Sequence, residues 1–338
     1  MENEQKDRLS VIEFTQKYGH LIIAALAFVA FGFFFAPILK VILVDGGSQN
    51  ISLYHIANGS YKHSWSMYLT VSFLLLGIVF VLLKNVNKTF SSLGTLLLIM
   101  AIVMLSLEKK IFELDPMFED VDFAWGFIVS VAFLTLSAFL SLSLFYSADK
   151  MTIRDIAEEG MLIALAFVLN LVKLFPAPTG GSVNLQMLPL FILAMRHGPT
   201  HGLIAGGIIY GLITVATDGY GFACYPFDYL IGFGSVAIVG AFKPLIFNKF
   251  YEEGRPVKGY ILSESMIAVS TILATAVRFF GSTASSVIVW DYSFQAAALY
   301  NSMYIPISGG IAAIIIMASF KFIRMFNDRF PVKHGYLL

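Results

Sequence analysis

Long apolar runs separated by short polar stretches dominate the chain. They fall at roughly 21–44, 67–83, 91–107, 123–146, 160–175, 185–195, 202–217, 226–247, 260–280 and 302–325. A membrane-crossing helix needs ~17–25 mainly apolar residues, and most of these runs approach that length. The pattern predicts an all-α polytopic membrane protein with about ten transmembrane helices. The first run, Leu21–Val44, is longer than a signal-peptide core and lacks a small-residue cleavage site, so it is expected to stay as the first helix.

The short run Leu185–Met195 could be re-entrant by length alone. Basic residues decide its reading. With ten crossings, sixteen Lys and Arg fall on one side, among them Lys84, Lys150, Arg196, Lys258 and Lys333. The other side receives only Lys40, Lys62, Lys109 and Lys110, and Lys173 and Arg278 lie in or near spans. Omitting the short span would move the basic 248–258 loop and the basic C-terminal segment outside. The positive-inside rule disfavours that, so both termini are expected in the cytoplasm, with the chain a multi-pass protein of the cell membrane.

Composition agrees with the pattern. Of the 338 residues 58% are hydrophobic and 13% charged, with zero formal net charge. A soluble domain carries about 25% charged residues. Zero net charge offers no field for nucleic acid, so the bilayer is the expected large partner. Cys224 is the single cysteine, which excludes an internal disulfide and a Cys-based metal site.

The polar linker Ser147–Glu159 divides the chain into 1–150, a four-helix part of unknown role, and 151–338, a six-helix part. In the first part, the acidic 108–122 stretch reads as a solvated loop. In the second, three outer loops carry Tyr220, Tyr225, Asp228, Tyr229, Trp290, Tyr292, Tyr300, Asn301 and Tyr304 with no Lys or Arg. Aromatic faces attract cations, and a carboxylate in the same pocket adds a charge partner, which suits a flat or cationic organic ligand. An aromatic belt at the headgroups is the competing reading.

Gly202-x-x-x-Gly206 and Gly207-x-x-x-Gly211 place small residues one turn apart, as close helix packing requires. Gly160-x-x-x-Ala164, beside the linker, fits either packing or docking of a partner helix. Arg278, near the outer end of its span, can bind a ligand group or pair with Asp228. Lys173 and Glu264 are expected to snorkel to the headgroups. No phosphate loop, nucleophile elbow or metal-ligand set around His197 and His201 is present, so neither catalysis, a cofactor nor a metal is expected.

The stretch Gly180–Gly198, GGSVNLQMLPLFILAMRHG, followed by Gly202, Gly206 and Gly211, resembles the thiamine-specific substrate-binding (S) subunits of energy-coupling factor (ECF) transporters. Asp228-Tyr229, Arg278-Phe279, Trp290 and Tyr300-Asn301-x-x-Tyr304-x-Pro306 extend the likeness over roughly residues 155–325. The resemblance implies a six-helix bundle with an extracellular vitamin site, a transmembrane coupling subunit and two cytoplasmic ATPases as partners. It assigns ligand contacts to Asp228, Tyr229, Trp290 and Asn301, and partner docking to Gly160 and Ala164. With Tyr225, Tyr300 and Arg278 these form the candidate site. Asp228 stands where the family favours Glu, and Ser282 where it has His. The implied ligand is thus thiamine, a precursor or an analogue. The rivals are an S subunit for another vitamin, a self-sufficient ten-helix secondary transporter for a small organic cation, and a membrane enzyme or scaffold.

Overall fold

The computed structural model describes residues 2–57, 65–85, 88–113, 116–148, 151–177, 181–251 and 253–332. Lys62, Lys150 and Lys333, used in the charge reading above, lie outside the described residues, as does residue 150 at the boundary between the two parts. The chain forms two compact units, Met1–Ala148 and Asp149–Leu338.

The first unit holds α1 (Glu2–Phe33), β1 (Leu39–Leu43), β2 (Ser48–Ile51), α2 (Leu53–Ala57), α3 (Trp65–Leu82), α4 (Lys88–Glu113), β3 (Phe118–Phe123) and α5 (Trp125–Ala148). Two expectations need correction here. The run Leu21–Val44 is not one helix: α1 starts within the polar segment before it and ends at Phe33. Pro37 disfavours helical backbone at the residue before it, and β-branched Ile38, Val41 and Ile42 then favour a strand. Nor is 118–123 a solvated loop. It forms β3, antiparallel to β1, with Val41 opposite Val121 and Lys40 opposite Asp122, in a sheet of order β2-β1-β3. The fold is mostly helical rather than all-α. Lys109 reaches Asp122 at 3.1 Å, so part of the acidic charge is held locally.

The second unit comprises α6 (Ile153–Leu171), the hairpin strands β4 (Phe175–Pro176) and β5 (Ser182–Val183), α7 (Met187–His197), α8 (Pro199–Thr217), α9 (Phe222–Ala241), α10 (Lys243–Ile246), α11 (Pro256–Val289), α12 (Phe294–Ser302) and α13 (Ile305–Arg329). The polar linker is shorter than its composition suggests, because α6 begins at Ile153. Thr152 and Asp155 close a capping box at its start, satisfying N–H groups that a helix end leaves free. Five helices among the described residues are long and apolar enough to cross a membrane: α4, α8, α9, α11 and the Phe294–Arg329 segment. α7 has 11 residues, or about 16 Å at 1.5 Å per residue, roughly half a hydrocarbon core.

The glycines of α8 meet neighbouring backbone. A Cβ on Gly206 would lie 2.6 Å from the Phe233 carbonyl oxygen, and one on Gly207 would lie 2.8 Å from that of Leu230. These pairs therefore pack α8 against α9 within the unit. Gly160 differs, with nothing within 4 Å of a Cβ placed there. Gly206→Ala should destabilise the unit by about 1–3 kcal/mol through overpacking, whereas Gly160→Ala should not. Thermal unfolding of both variants in detergent checks this; equal midpoints would refute the packing assignment.

Candidate functional site

A cavity of about 520 Å³ opens in the second unit, bounded by α6, the β4–β5 hairpin, α8, α9, α11, α12 and the start of α13. Asp228, Tyr229, Arg278, Trp290, Tyr300 and Asn301 line it. Tyr225 lies outside the lining: its hydroxyl donates to the Gly207 carbonyl at 3.2 Å and its ring stacks parallel to that of Tyr229.

Local sequence explains how these side chains converge. Asp218, Gly219 and Gly221 turn the chain between α8 and α9, the two glycines taking positive φ of 81° and 88° that side-chain-bearing residues resist. Pro226 carries no N–H, and the backbone over Tyr225–Ile231 widens into π-helical turns. Such turns re-aim side chains and often mark functional sites. On the opposite wall α11 ends at Val289, and Asp291 at φ 54° reverses the chain after Trp290.

Asp218 is a site residue to which sequence reasoning gave no separate role. It accepts hydrogen bonds from the Tyr229 hydroxyl and, at 3.0 Å, from the Tyr220 N–H. Burial raises its carboxyl above the ordinary 3.8. The folded state therefore holds this proton more tightly than the unfolded chain, and the corresponding stability is lost as pH rises through that raised value. Asp218→Asn should flatten this part of the profile of unfolding temperature against pH, on the alkaline side of the ordinary 3.8; an unchanged slope would count against it.

Arg278 is 7% exposed and forms no ion pair among the described residues. Its Nε has no hydrogen-bond partner, and its guanidinium lies 4.7 Å from the Phe233 ring centre. The expected alternative of a pair with Asp228 is thus not formed. Asp228 instead shares the cavity lining with Ser282 and Ser286. Trp290 meets Tyr220 edge to face with ring centres 6.2 Å apart. The cavity offers a carboxylate, a guanidinium and several aromatic faces, which suits a flat polar molecule carrying positive charge.

Asn170, Asn184 and Gln186, polar residues that apolar periodicity could not reveal, complete the wall, and Tyr210 braces Gln186 from behind it. Tyr210 donates to Gln186 at 2.6 Å, and Asn184 donates to Asn170 at 3.1 Å. Lys173, expected to snorkel, stands exposed at the rim.

A buried polar cluster occupies the α6 start, the α7 end and the α13 end. Arg196 bonds Glu158 through Nε and through Nη2, the latter at 3.0 Å. Glu159 Oε1 lies 3.1 Å from His197 Nδ1 and 2.7 Å from His201 Nδ1. Carboxylates therefore do meet these histidines, brought from α6 rather than from neighbouring sequence. No group of three or more His, Cys, Asp or Glu among the described residues could hold a metal ion.

Comparison with known proteins places this unit. A family model described as "Thiamine transporter protein (Thia_YuaJ)" matches residues 156–330, just over half of the chain. The thiamine transporter ThiT of Bacillus subtilis (strain 168) is 28% identical over 175 residues, which cover 48% of this chain and 88% of that protein. A solved structure of ThiT from Listeria monocytogenes aligns at 21% identity with a TM-score of 0.42, covering 50% of this chain and 94% of that one. The matched family and the Bacillus relative are described as thiamine transporters, not as enzymes. The chain is a multi-pass membrane protein belonging to the thiamine transporter protein family.

Proposed function

We propose that the chain is the substrate-binding (S) subunit of an ECF-type transporter that takes up thiamine or a closely related vitamin or precursor. The observation that carries this reading is the 520 Å³ cavity, which lies within the family-matched residues and gathers Asp228, Arg278 and the aromatic side chains. The cationic part of the ligand pairs with Asp228, and its rings stack against Trp290, Tyr229 and Tyr300. Asn301 and Arg278 complete the polar contacts.

Transport is energised by partners: a transmembrane coupling subunit and two cytoplasmic ATPases. The chain's lack of a phosphate loop agrees with this. The coupling subunit docks on α6 at Gly160 and Ala164. Open space at Gly160 and the exposed Met161, Leu165 and Val168 support that surface. The protein sits in the cell membrane with ten crossings and both termini cytoplasmic. Residues 151–338 form the substrate-binding bundle and residues 1–150 an additional four-helix part.

Titrating the purified protein with thiamine should quench tryptophan fluorescence at sub-micromolar ligand. If neither thiamine nor its pyrimidine and thiazole precursors bind at micromolar levels, the ligand assignment is wrong. Uptake that persists without the ATPases and collapses with an ion gradient would overturn the ECF assignment.

A further inference from the structure

Tyr304 stands at the break between α12 and α13 and has no place in the ligand set above. Its hydroxyl donates to Oδ1 of Asn301 at 2.7 Å. The Asn301 amide nitrogen donates to Ser286 Oγ at 3.1 Å and to the Ala297 carbonyl at 3.0 Å. A side-chain amide has two N–H donors and two oxygen lone pairs. Three of these four are used inside the protein, which leaves one lone pair for the cavity. The same tyrosine ring supports the hairpin. A Cβ on Gly181 would fall within 3.0 Å of three atoms of that ring, so only glycine lets the backbone lie flat against it. Ser182 and Asn184, which follow Gly181, line the cavity. A second tie joins Asn184 N–H to Ser308 Oγ at 3.3 Å.

We propose that Tyr304 is a positioning residue for ligand recognition. It locks the Asn301 amide so that only an acceptor faces the ligand, and it sets the Ser182–Asn184 wall against that acceptor. Asn301 thereby selects an N–H or O–H donor on the ligand. This rests on the cavity being the thiamine site proposed above. Thiamine carries two such donors, the amino group of its pyrimidine and the hydroxyl of its hydroxyethyl arm, and one of them meets Asn301.

The test uses the full-length protein and Tyr304→Phe, which keeps the ring on Gly181 and removes the hydroxyl. Three compounds are titrated: thiamine, the analogue with hydrogen in place of the pyrimidine amino group, and the analogue lacking the hydroxyl. Tyr304→Phe should weaken thiamine binding about threefold to tenfold, the usual worth of one neutral hydrogen bond. The preference for thiamine over one of the analogues should shrink about threefold or more. Unchanged thiamine affinity overturns the proposal, as does an equal loss for all three compounds, the mark of a merely structural role.

A second measurement needs no ligand. The Leu174 and Ala177 amides donate to the Val183 and Gly181 carbonyls at 2.9 and 2.7 Å. Gly181→Ala should speed their hydrogen exchange about tenfold or more, and adding Tyr304→Ala should slow it again by making room. Exchange indifferent to Gly181→Ala, or not slowed by the second change, would refute the seat. Should thiamine fail to bind even the unaltered protein while the exchange results hold, the ligand assignment falls and the seat stands.

Discussion

Asp228→Asn should weaken thiamine binding at least about a hundredfold. Asp228 is an acid in a cavity where Arg278 is the nearby buried cation, and the two form no ion pair among the described residues. A cationic ligand would provide the carboxylate with a partner at contact distance. Removing one member of a buried charge pair costs about 3–5 kcal/mol, or roughly two to three and a half orders of magnitude in affinity. The neutral amide also leaves Arg278 as an unopposed positive charge facing a positive ligand. Asp228→Glu keeps the charge and adds one methylene, so it should bind within about tenfold of the unaltered protein. Calorimetric or fluorescence titration measures both. A loss under tenfold for Asp228→Asn would show that the carboxylate is not the ligand's charge partner.

Glu158→Gln should cause the largest stability loss of any single change in the buried cluster. Arg196 is 1% exposed. Besides Glu158 it reaches Asn327 Oδ1 at 3.3 Å and the Phe330 carbonyl at 3.2 Å, and it lies 4.5 Å from the Phe326 ring centre. It therefore ties the starts and ends of three helices together. A guanidinium cannot shed its proton, so a neutral residue 158 strands a full charge in the interior. The cost is about 3–5 kcal/mol, which corresponds to a fall of roughly 6–20 °C in unfolding midpoint for a unit of this size. Glu159→Gln should cost less, because its partners His197 and His201 can become neutral by releasing a proton. Thermal unfolding in detergent compares the two. A larger loss for Glu159→Gln would mean that the histidines, not Arg196, carry the trapped charge.

Several elements could be read from sequence because their cause is local. Apolar length marks most of the helices. The glycine spacing of α8 signals close packing, and the structure supplies the surfaces it meets, the Phe233 and Leu230 carbonyls. The resemblance over residues 155–325 anticipated the matched range 156–330. By contrast, β1 and β3 escaped notice because their pairing joins residues about eighty positions apart, and strand propensity depends on such partners. α1 was overextended because apolarity alone does not register a proline that ends a helix.

Within the cavity, residue types were informative and their connections were not. Asp228, Trp290 and Asn301 stood out as polar or aromatic residues in loops lacking basic charge. Tyr225 has the same character yet turns to the Gly207 carbonyl, because π-helical turns shift the direction of each following side chain. Glu158 and Glu159 looked like linker polarity, but in the fold they meet Arg196, His197 and His201.

The sequence by itself determined that this is a largely helical membrane protein of a transport family, because hydrophobic length and residue motifs act locally or are inherited as strings. Tertiary structure decided which polar groups meet: Asn184 with Ser308, Glu159 with His201, and Arg196 with Glu158. Those pairings depend on helices distant in sequence approaching within hydrogen-bond range. Once there, a buried polar group must find a partner or bear the full cost of leaving water, and that requirement shapes the cavity.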